Sequence, residues 1–170
     1  MSGATADAPE EVPSIRRRLA AMLYESLLLA AVAFFAGVLF LFASGGREAS
    51  GWLRIGQQAY LLVVFAAYFL WCWLRGGQTL AMKAWRIRLV APGHARVPAL
   101  VALLRFVYAA IFVGAFLAAL AAAFMHRNPW YAFVTLALTG LGLGWALFDS
   151  DRQFLHDRLA GTRLILVPRP

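Results

Sequence analysis

Glu25 is the one acid inside the long apolar stretches of this chain, and an acid in that position could bind a proton or a cation. A carboxylate at the centre of a bilayer costs about 2.5–3.5 kcal/mol on insertion scales, and less near the membrane surface. Arg18 lies seven residues earlier, which puts it on the same helix face, about 10 Å away along the axis. Two interpretations stay open: a proton- or cation-binding carboxylate facing the helix bundle, or a structural acid neutralised by a basic residue such as Arg105.

Arg105 lies where the third apolar stretch begins. Arginines in such positions commonly extend the guanidinium to the membrane surface while the aliphatic stem stays in the apolar layer. We expect Arg105 to do the same, and a pair with Glu25 or Asp149 is the alternative.

A cluster of acids and one histidine follows the last apolar stretch, at Asp149, Asp151, His156 and Asp157. If this tail is helical, His156 and Asp149 share a face, which is one property of a metal site. The spacing matches no standard zinc pattern and the cluster has no cysteine, so we expect no metal and no cofactor. The favoured interpretation is structural: Asp149 or Asp151 caps a short helix, and Gly161 ends it.

The connection after the second apolar stretch offers further polar groups. Gln78 and Thr79 follow a Gly-Gly pair and could coordinate a ligand at the inner mouth of the bundle, although capping of a short helix explains Thr79 equally well. Asp157 of the tail could pair with Lys83 or Arg88 of this connection and lock the two segments together.

Motifs for catalysis do not occur in the sequence: it has no Ser-His-Asp constellation, no Gly-rich phosphate loop and no intramembrane zinc motif. We therefore expect a protein without enzymatic activity. The candidate ligand- or ion-binding residues are Arg18, Glu25, Gln78, Thr79, Arg105, Asp149, His156, Asp157 and Arg158.

Four apolar stretches must position these residues, at about 19–42, 55–74, 106–124 and 130–148. At about 1.5 Å per residue, roughly 20 apolar residues cross the hydrocarbon layer, so each stretch meets or nearly meets the length of a transmembrane helix. The composition agrees, since 62% of the residues are hydrophobic and only 14% are charged. The sequence predicts an all-α membrane protein with four transmembrane helices in one domain, 15–170, preceded by a disordered cytoplasmic tail, 1–14.

The basic residues are distributed unevenly among the connections. Thirteen of the 16 Lys and Arg residues fall in the N-terminal arm, the middle connection and the C-terminal tail, and three fall in the other two connections. The positive-inside rule makes the first group cytoplasmic and predicts a multi-pass protein with both termini in the cytoplasm. Anionic lipid head groups account for the net charge of +8 better than nucleic acid does, and we do not expect nucleic acid as a partner.

Two short apolar runs on the predicted cytoplasmic side indicate a β element. Residues 85–90 alternate apolar and basic side chains, and a second apolar run at 163–167 follows Gly161. A strand without a partner leaves backbone groups unpaired, so we expect these two runs to pair.

Small residues in the last two spans predict close helix packing, because they let backbones approach one another in lipid. The fourth span contains Gly140, Gly142 and Gly144. Packing inside one four-helix bundle is favoured over a dimer face, and a homo-oligomer stays possible.

Three motifs lie where the chain enters or leaves the predicted spans: RRLAA at 17–21, GQTLAMK at 77–83 and RQFLHDRLAGT at 152–162. In combination they resemble the RDD family of small bacterial membrane proteins, over about 16–167 of this chain. Arg18 matches the family arginine, and Asp157 matches the second of its two aspartates. The first aspartate falls on Glu25, so the acid is kept on a side chain that is one methylene longer.

The resemblance implies a transport-related role in a bacterial inner membrane, moving an ion or a small solute, with cation/proton exchange as its specific form. Glu25 would be the titratable binding group and Arg18 its electrostatic modulator, while Asp157 and Arg158 would organise the inner gate. The alternative is a non-transporting scaffold or assembly protein that binds lipid or a protein partner through its basic cytoplasmic face. The expected partners are the lipid bilayer, anionic lipid head groups and further copies of this chain.

Overall fold

A computed structural model describes residues 11–47, 50–149 and 153–168 of the chain. In chain order the elements are α1 (Ile15–Ala43), α2 (Gly51–Gly76), α3 (Leu80–Ala84), β1 (Ile87–Val90), α4 (Ala99–His126), α5 (Pro129–Thr139), a π-helical turn (Gly140–Gly144), α6 (Trp145–Phe148), α7 (Leu155–Leu159) and β2 (Arg163–Leu166). Most of the tail predicted to be disordered, 1–14, lies outside the described ranges. Its last four residues are described, and Pro13 among them is buried.

Four helical segments are long and apolar enough to cross a membrane. The helices α1, α2 and α4 each form one of them, and the fourth runs from the start of α5 to the end of α6. The predicted all-α membrane fold with four transmembrane helices and a small β element is therefore confirmed. Each of the first three helices extends beyond its apolar stretch, because Ser14, Ser50 and Pro98 precede them in extended conformations that start a helix.

The fourth span differs from the continuous α-helix that was predicted. It widens into a π-helical turn over Gly140–Gly144, where three glycines in five residues weaken the α-helix locally. A Cβ built on Gly140, Gly142 or Gly144 would meet no neighbouring heavy atom within 4 Å. The expected close packing of these glycines inside the bundle is therefore wrong for the described residues, and the glycines alter the helix itself.

The two predicted strands pair as an antiparallel sheet, with Ile87 opposite Leu166 at one end and Val90 opposite Arg163 at the other. The predicted pairing of 85–90 with 163–167 is confirmed. The N-terminal arm joins the same assembly, since the backbone N–H of Leu166 donates to the carbonyl of Glu11 at 2.8 Å. Three chain segments thus meet at one end of the helices, which we call the sheet end: the arm before α1, the α2–α4 connection and the tail.

The packed core lies at the sheet end. Its buried members come from four helices and both strands: Ala21, Trp73, Met82, Ile87, Leu89, Val97, Ala102, Phe106 and Leu164. Farther along the spans most large apolar side chains are exposed, as lipid-facing residues are, because lipid supplies no hydrophobic force to bring helices together. The tightly packed side chains that exclude water therefore lie where the chain leaves the membrane.

Gly77 joins the end of α2 to the sheet. It adopts a left-handed conformation with φ of 67°, and its carbonyl accepts the backbone N–H of Leu89 at 2.7 Å. A Cβ at this position would lie 2.6 Å from the carbonyl oxygen of Leu89. Only glycine fits here without moving β1 away from α2.

Gly77→Ala should therefore destabilise the protein, and Gly76→Ala should not. The left-handed backbone alone costs an alanine about 1–2 kcal/mol, and the clash with Leu89 adds to this, so we expect a Tm lower by about 5 °C or more. Gly76 is the matched control, because it is helical and a Cβ there meets nothing within 4 Å. Thermal unfolding in detergent can be followed through the reaction of a thiol dye with Cys72, the single cysteine. Equal Tm values for the two variants would contradict the role of Gly77.

Candidate functional site

Glu25 of α1 is half-buried and accepts hydrogen bonds from two hydroxyl groups. The hydroxyl of Tyr68, from α2, donates to Oε1 at 2.7 Å, and the hydroxyl of Thr79 donates to Oε2. Thr79 is buried, and its Oγ1 also accepts the backbone N–H of Met82 at 3.2 Å as the N-cap of α3. The Thr79 hydroxyl therefore accepts the hydrogen bond that caps α3 and donates another to Glu25. Helix capping and the Glu25 site use the same group.

Cationic side chains in the described ranges do not pair with Glu25; the carboxylates in ion pairs there are Asp157 and Asp149. The interpretation of Glu25 as an acid neutralised by Arg105 is therefore wrong. Hydroxyl dipoles offset only part of the cost of holding an ionised carboxylate away from water. The described residues therefore give Glu25 two hydroxyl partners and no counter-charge at ion-pair distance.

Arg18 lies on the same face of α1 as Glu25 but contacts other groups. Its side chain is 1% exposed, and its guanidinium carbon lies 5.7 Å from the centre of the Phe154 ring, just before α7. The carboxylates of Asp157 and Asp149 interact with it electrostatically. Arg18 thus belongs to a second group of charges at the sheet end, which we call the charged cluster: Arg18, Arg105, Asp149, His156, Asp157 and Arg158.

A buried ion pair forms the centre of the charged cluster. Nε and Nη2 of Arg105 lie 2.8 Å and 2.7 Å from Oδ1 of Asp157, and the Asp157 side chain is 0% exposed. The guanidinium of Arg105 also stacks over Trp73, 4.3 Å from the ring centre. The expected extension of Arg105 to the membrane surface is wrong, because α7 folds back and brings a carboxylate to it.

The same pair replaces the predicted contact of Asp157 with the middle connection. Within the described residues Asp157 forms no ion pair with Lys83 or Arg88, and Arg88 is exposed on β1. Through this pair Asp157 holds the tail to α4 instead.

Asp149 links the end of the fourth span to the tail. Its Oδ1 lies 3.5 Å from Nε of Arg158, and its Oδ2 accepts the backbone N–H of Gln153 at 2.9 Å. Oε1 of Gln153 in turn accepts the backbone N–H of Leu164 at 3.1 Å, which fixes β2. A chain of contacts therefore runs from α6 through the tail into the sheet.

The predicted cap of the tail helix is wrong for Asp149. The N-cap of α7 is Phe154, with no side-chain hydrogen bond, and Asp149 instead binds the residue before it. Asp151, the other candidate, lies outside the described residues. Gly161 follows α7 with φ of 66°, which agrees with the predicted end of this helix.

His156 is partly buried beside the central pair, with Nε2 3.6 Å from Oδ1 of Asp157. Burial lowers the pKa of His156 from its ordinary value of 6.5, the charge of Arg105 lowers it further, and the carboxylate of Asp157 opposes both. The imidazole is therefore neutral at pH 7. Across the described ranges no group of three or more His, Cys, Asp and Glu residues is arranged to hold a metal ion.

Gln78 has a structural contact, since its Nε2 donates to the carbonyl of Ile87 at 2.7 Å. Sequence reasoning missed Tyr68 and Trp73, the partners of Glu25 and Arg105. A signal for Tyr68 existed, because a tyrosine hydroxyl within an apolar span needs a hydrogen-bond partner. The choice between acceptors depended on helix packing, which spacing does not reveal.

Asp157→Asn should destabilise the protein strongly, since it leaves the buried guanidinium of Arg105 without its counter-charge. Breaking a buried pair from one side costs about 3–5 kcal/mol, so we expect a Tm at least about 6 °C lower in detergent. Glu11→Gln is the matched control: Glu11 is exposed, and a screened surface carboxylate contributes at most about 1 kcal/mol. Adding Arg105→Gln to Asp157→Asn should recover part of the loss. Equal losses from the two single variants would contradict a special role of the buried pair.

The chain that carries these groups can be compared with known protein families. The model of the RDD family matches residues 12–161, a region that contains the Glu25 site and the charged cluster. Among curated proteins and among solved structures, no match to the chain was found. Since the family match covers most of the chain, and confirms the resemblance seen in its motifs, this protein belongs to the RDD family.

Proposed function

We propose that this protein is a small transport protein of a bacterial inner membrane that exchanges a cation for protons, with no enzymatic activity. Glu25 is the group that both ions bind. The observation that supports this most directly is the pairing of Glu25 with two hydroxyls, Tyr68 and Thr79, and with no cationic side chain of the described ranges. A carboxylate in this setting is stable when a proton or a cation is bound to it.

The chemistry of the site favours a hard cation. The two carboxylate oxygens of Glu25 lie beside the hydroxyl oxygens of Tyr68 and Thr79, and oxygen ligands without nitrogen or sulfur suit hard cations such as Na⁺. A proton and a cation cannot both neutralise one carboxylate. Binding of either therefore releases the other, which is the requirement for exchange.

The position of the site favours access from the sheet end. Thr79 begins α3, outside the spans, while Tyr68 lies eight residues before the end of α2, about 12 Å inside it. Glu25 bridges these two levels and so lies near the border between the apolar spans and the sheet end. A proton or cation that enters from that side has a short path to it.

The charge distribution favours a cytoplasmic sheet end. The three segments that meet there, counted together with the ends of α1, α2 and α4 beside them, carry 13 of the 16 Lys and Arg residues, as cytoplasmic segments do. The charged cluster, with Asp157 and Arg158, would close this side as the inner gate. Four helices are few for a complete path, so the transporting unit is a homo-oligomer.

Flux through reconstituted protein tests the proposal. In proteoliposomes with an imposed pH gradient, addition of Na⁺, K⁺ or Li⁺ should collapse the gradient with wild type, and at least one of these ions should be effective. Glu25→Gln should abolish the cation-dependent collapse, because a neutral amide cannot exchange a proton for a cation, while Glu25→Asp should retain part of it.

Two tyrosine variants provide a matched control for the Glu25 site. Tyr68→Phe removes a hydroxyl that binds Glu25 and should reduce the flux at least about fivefold, whereas Tyr24→Phe removes an exposed hydroxyl on α1 and should leave it unchanged. A well-folded wild type with no cation-dependent flux would reject the exchange and favour a non-transporting membrane scaffold.

A further inference from the structure

A pocket of about 250 Å³ opens at the sheet end, away from Glu25. The last turn of α2 forms one wall, β1 forms another, and the loop before α4 closes the third side. Backbone of Gly76 and Gly77 lines the floor, and the stem of Arg88 passes close over Gly77. The left-handed turn at Gly77, which admits no side chain, is thus also what leaves room for the pocket.

The side chains that line this pocket carry positive charge without compensation from acids. Arg75, Arg88 and Arg96 line it from the three walls, His94 adds an imidazole, and no Asp or Glu of the described ranges lines it. In the described ranges none of the three arginines forms an ion pair. Three guanidinium groups around one cavity repel one another unless an anion lies between them.

The chemistry and size of the cavity indicate the anion. Guanidinium groups bind phosphate oxygens through paired, charge-assisted hydrogen bonds, and several arginines in one concave site are typical of phosphate recognition. The volume is below the range of about 300–1,000 Å³ of sites for drug-sized ligands, so it fits a head group better than a nucleotide. We infer that this arginine pocket binds the phosphate of an anionic phospholipid head group.

Two features favour lipid over a soluble phosphate as the source. Apolar side chains, Leu74 and Val90 among them, line the pocket beside the arginines, which suits the glycerol and upper acyl region of a lipid. Arg75 lies over the Trp71 ring, 4.7 Å from its centre, and exposed tryptophans at the ends of spans lie at the level of the head groups. Basic pockets between membrane helices on the cytoplasmic side bind anionic lipids in this manner.

Binding of a defined lipid to the purified protein tests this inference without reference to transport. Detergent-solubilised protein would be titrated with short-chain phosphatidylglycerol, and binding would be measured by native mass spectrometry and by the rise in Tm. Arg88→Gln combined with Arg96→Gln should weaken binding roughly tenfold or more, since it removes two of the three guanidinium groups that can form charge-assisted hydrogen bonds with the phosphate. Arg88→Lys with Arg96→Lys keeps the charge and should weaken binding less.

The control removes the same number of charges at the opposite end of α2: Arg47→Gln combined with Arg54→Gln. This variant should bind phosphatidylglycerol as wild type does, and phosphatidylcholine should not replace the anionic lipid in any variant. Equal weakening of lipid binding by both double substitutions would overturn the assignment of the lipid to this pocket, because it would show a general effect of net charge. Inorganic phosphate or glycerol phosphate that binds as tightly as the lipid would overturn the lipid assignment.

Discussion

The cost of holding ionised groups in or beside a bilayer determines how this protein is built. Two of its acids, one buried and one half-buried, meet that cost in different ways. Asp157 lies against the guanidinium of Arg105, so opposite charges compensate each other within the chain. Glu25 accepts hydrogen bonds from two hydroxyls and has no cationic partner in the described ranges; in the proposed function an ion from outside balances its charge. The first arrangement stabilises the fold, and the second is the basis of the proposed exchange.

The sheet end is what makes both arrangements possible. The short sheet brings the tail against the middle connection, α7 then delivers Asp157 to Arg105, and Gly77 lets β1 lie directly beside the end of α2. Thr79 connects this assembly to the membrane interior, since it starts α3 and also binds Glu25. Any displacement of α3 relative to α1 changes the oxygens around Glu25. In the proposed function, Thr79 would therefore couple ion binding at Glu25 to the conformation of the sheet end.

Hydropathy and alternation in the sequence were sufficient for the spans and the strand pairing, and three motifs at the ends of the spans were sufficient for the family. The spans and the strand pairing depend on the length of the apolar stretches and on the period of the alternation. Neither quantity depends on which side chains contact one another. The partners of the charged residues could not be predicted, because they depend on how α7 folds back onto α4 and on where α2 presents Tyr68. Arg105 shows the difference: its position at the start of a span favoured the membrane surface, while the fold provides Asp157. The π-helical turn was missed because Gly140–Gly144 was interpreted as a packing face.

The central claim is that the Glu25 carboxylate exchanges a proton for a cation. Infrared difference spectroscopy of the protein in lipid measures this directly, by following the carboxylic acid band while Na⁺ or Li⁺ is added at constant pH. We predict that the cation removes intensity from the band of a protonated carboxyl group and that this change is absent from Glu25→Gln. A wild-type spectrum that does not respond to any monovalent cation, or that responds equally in Glu25→Gln, would contradict the claim.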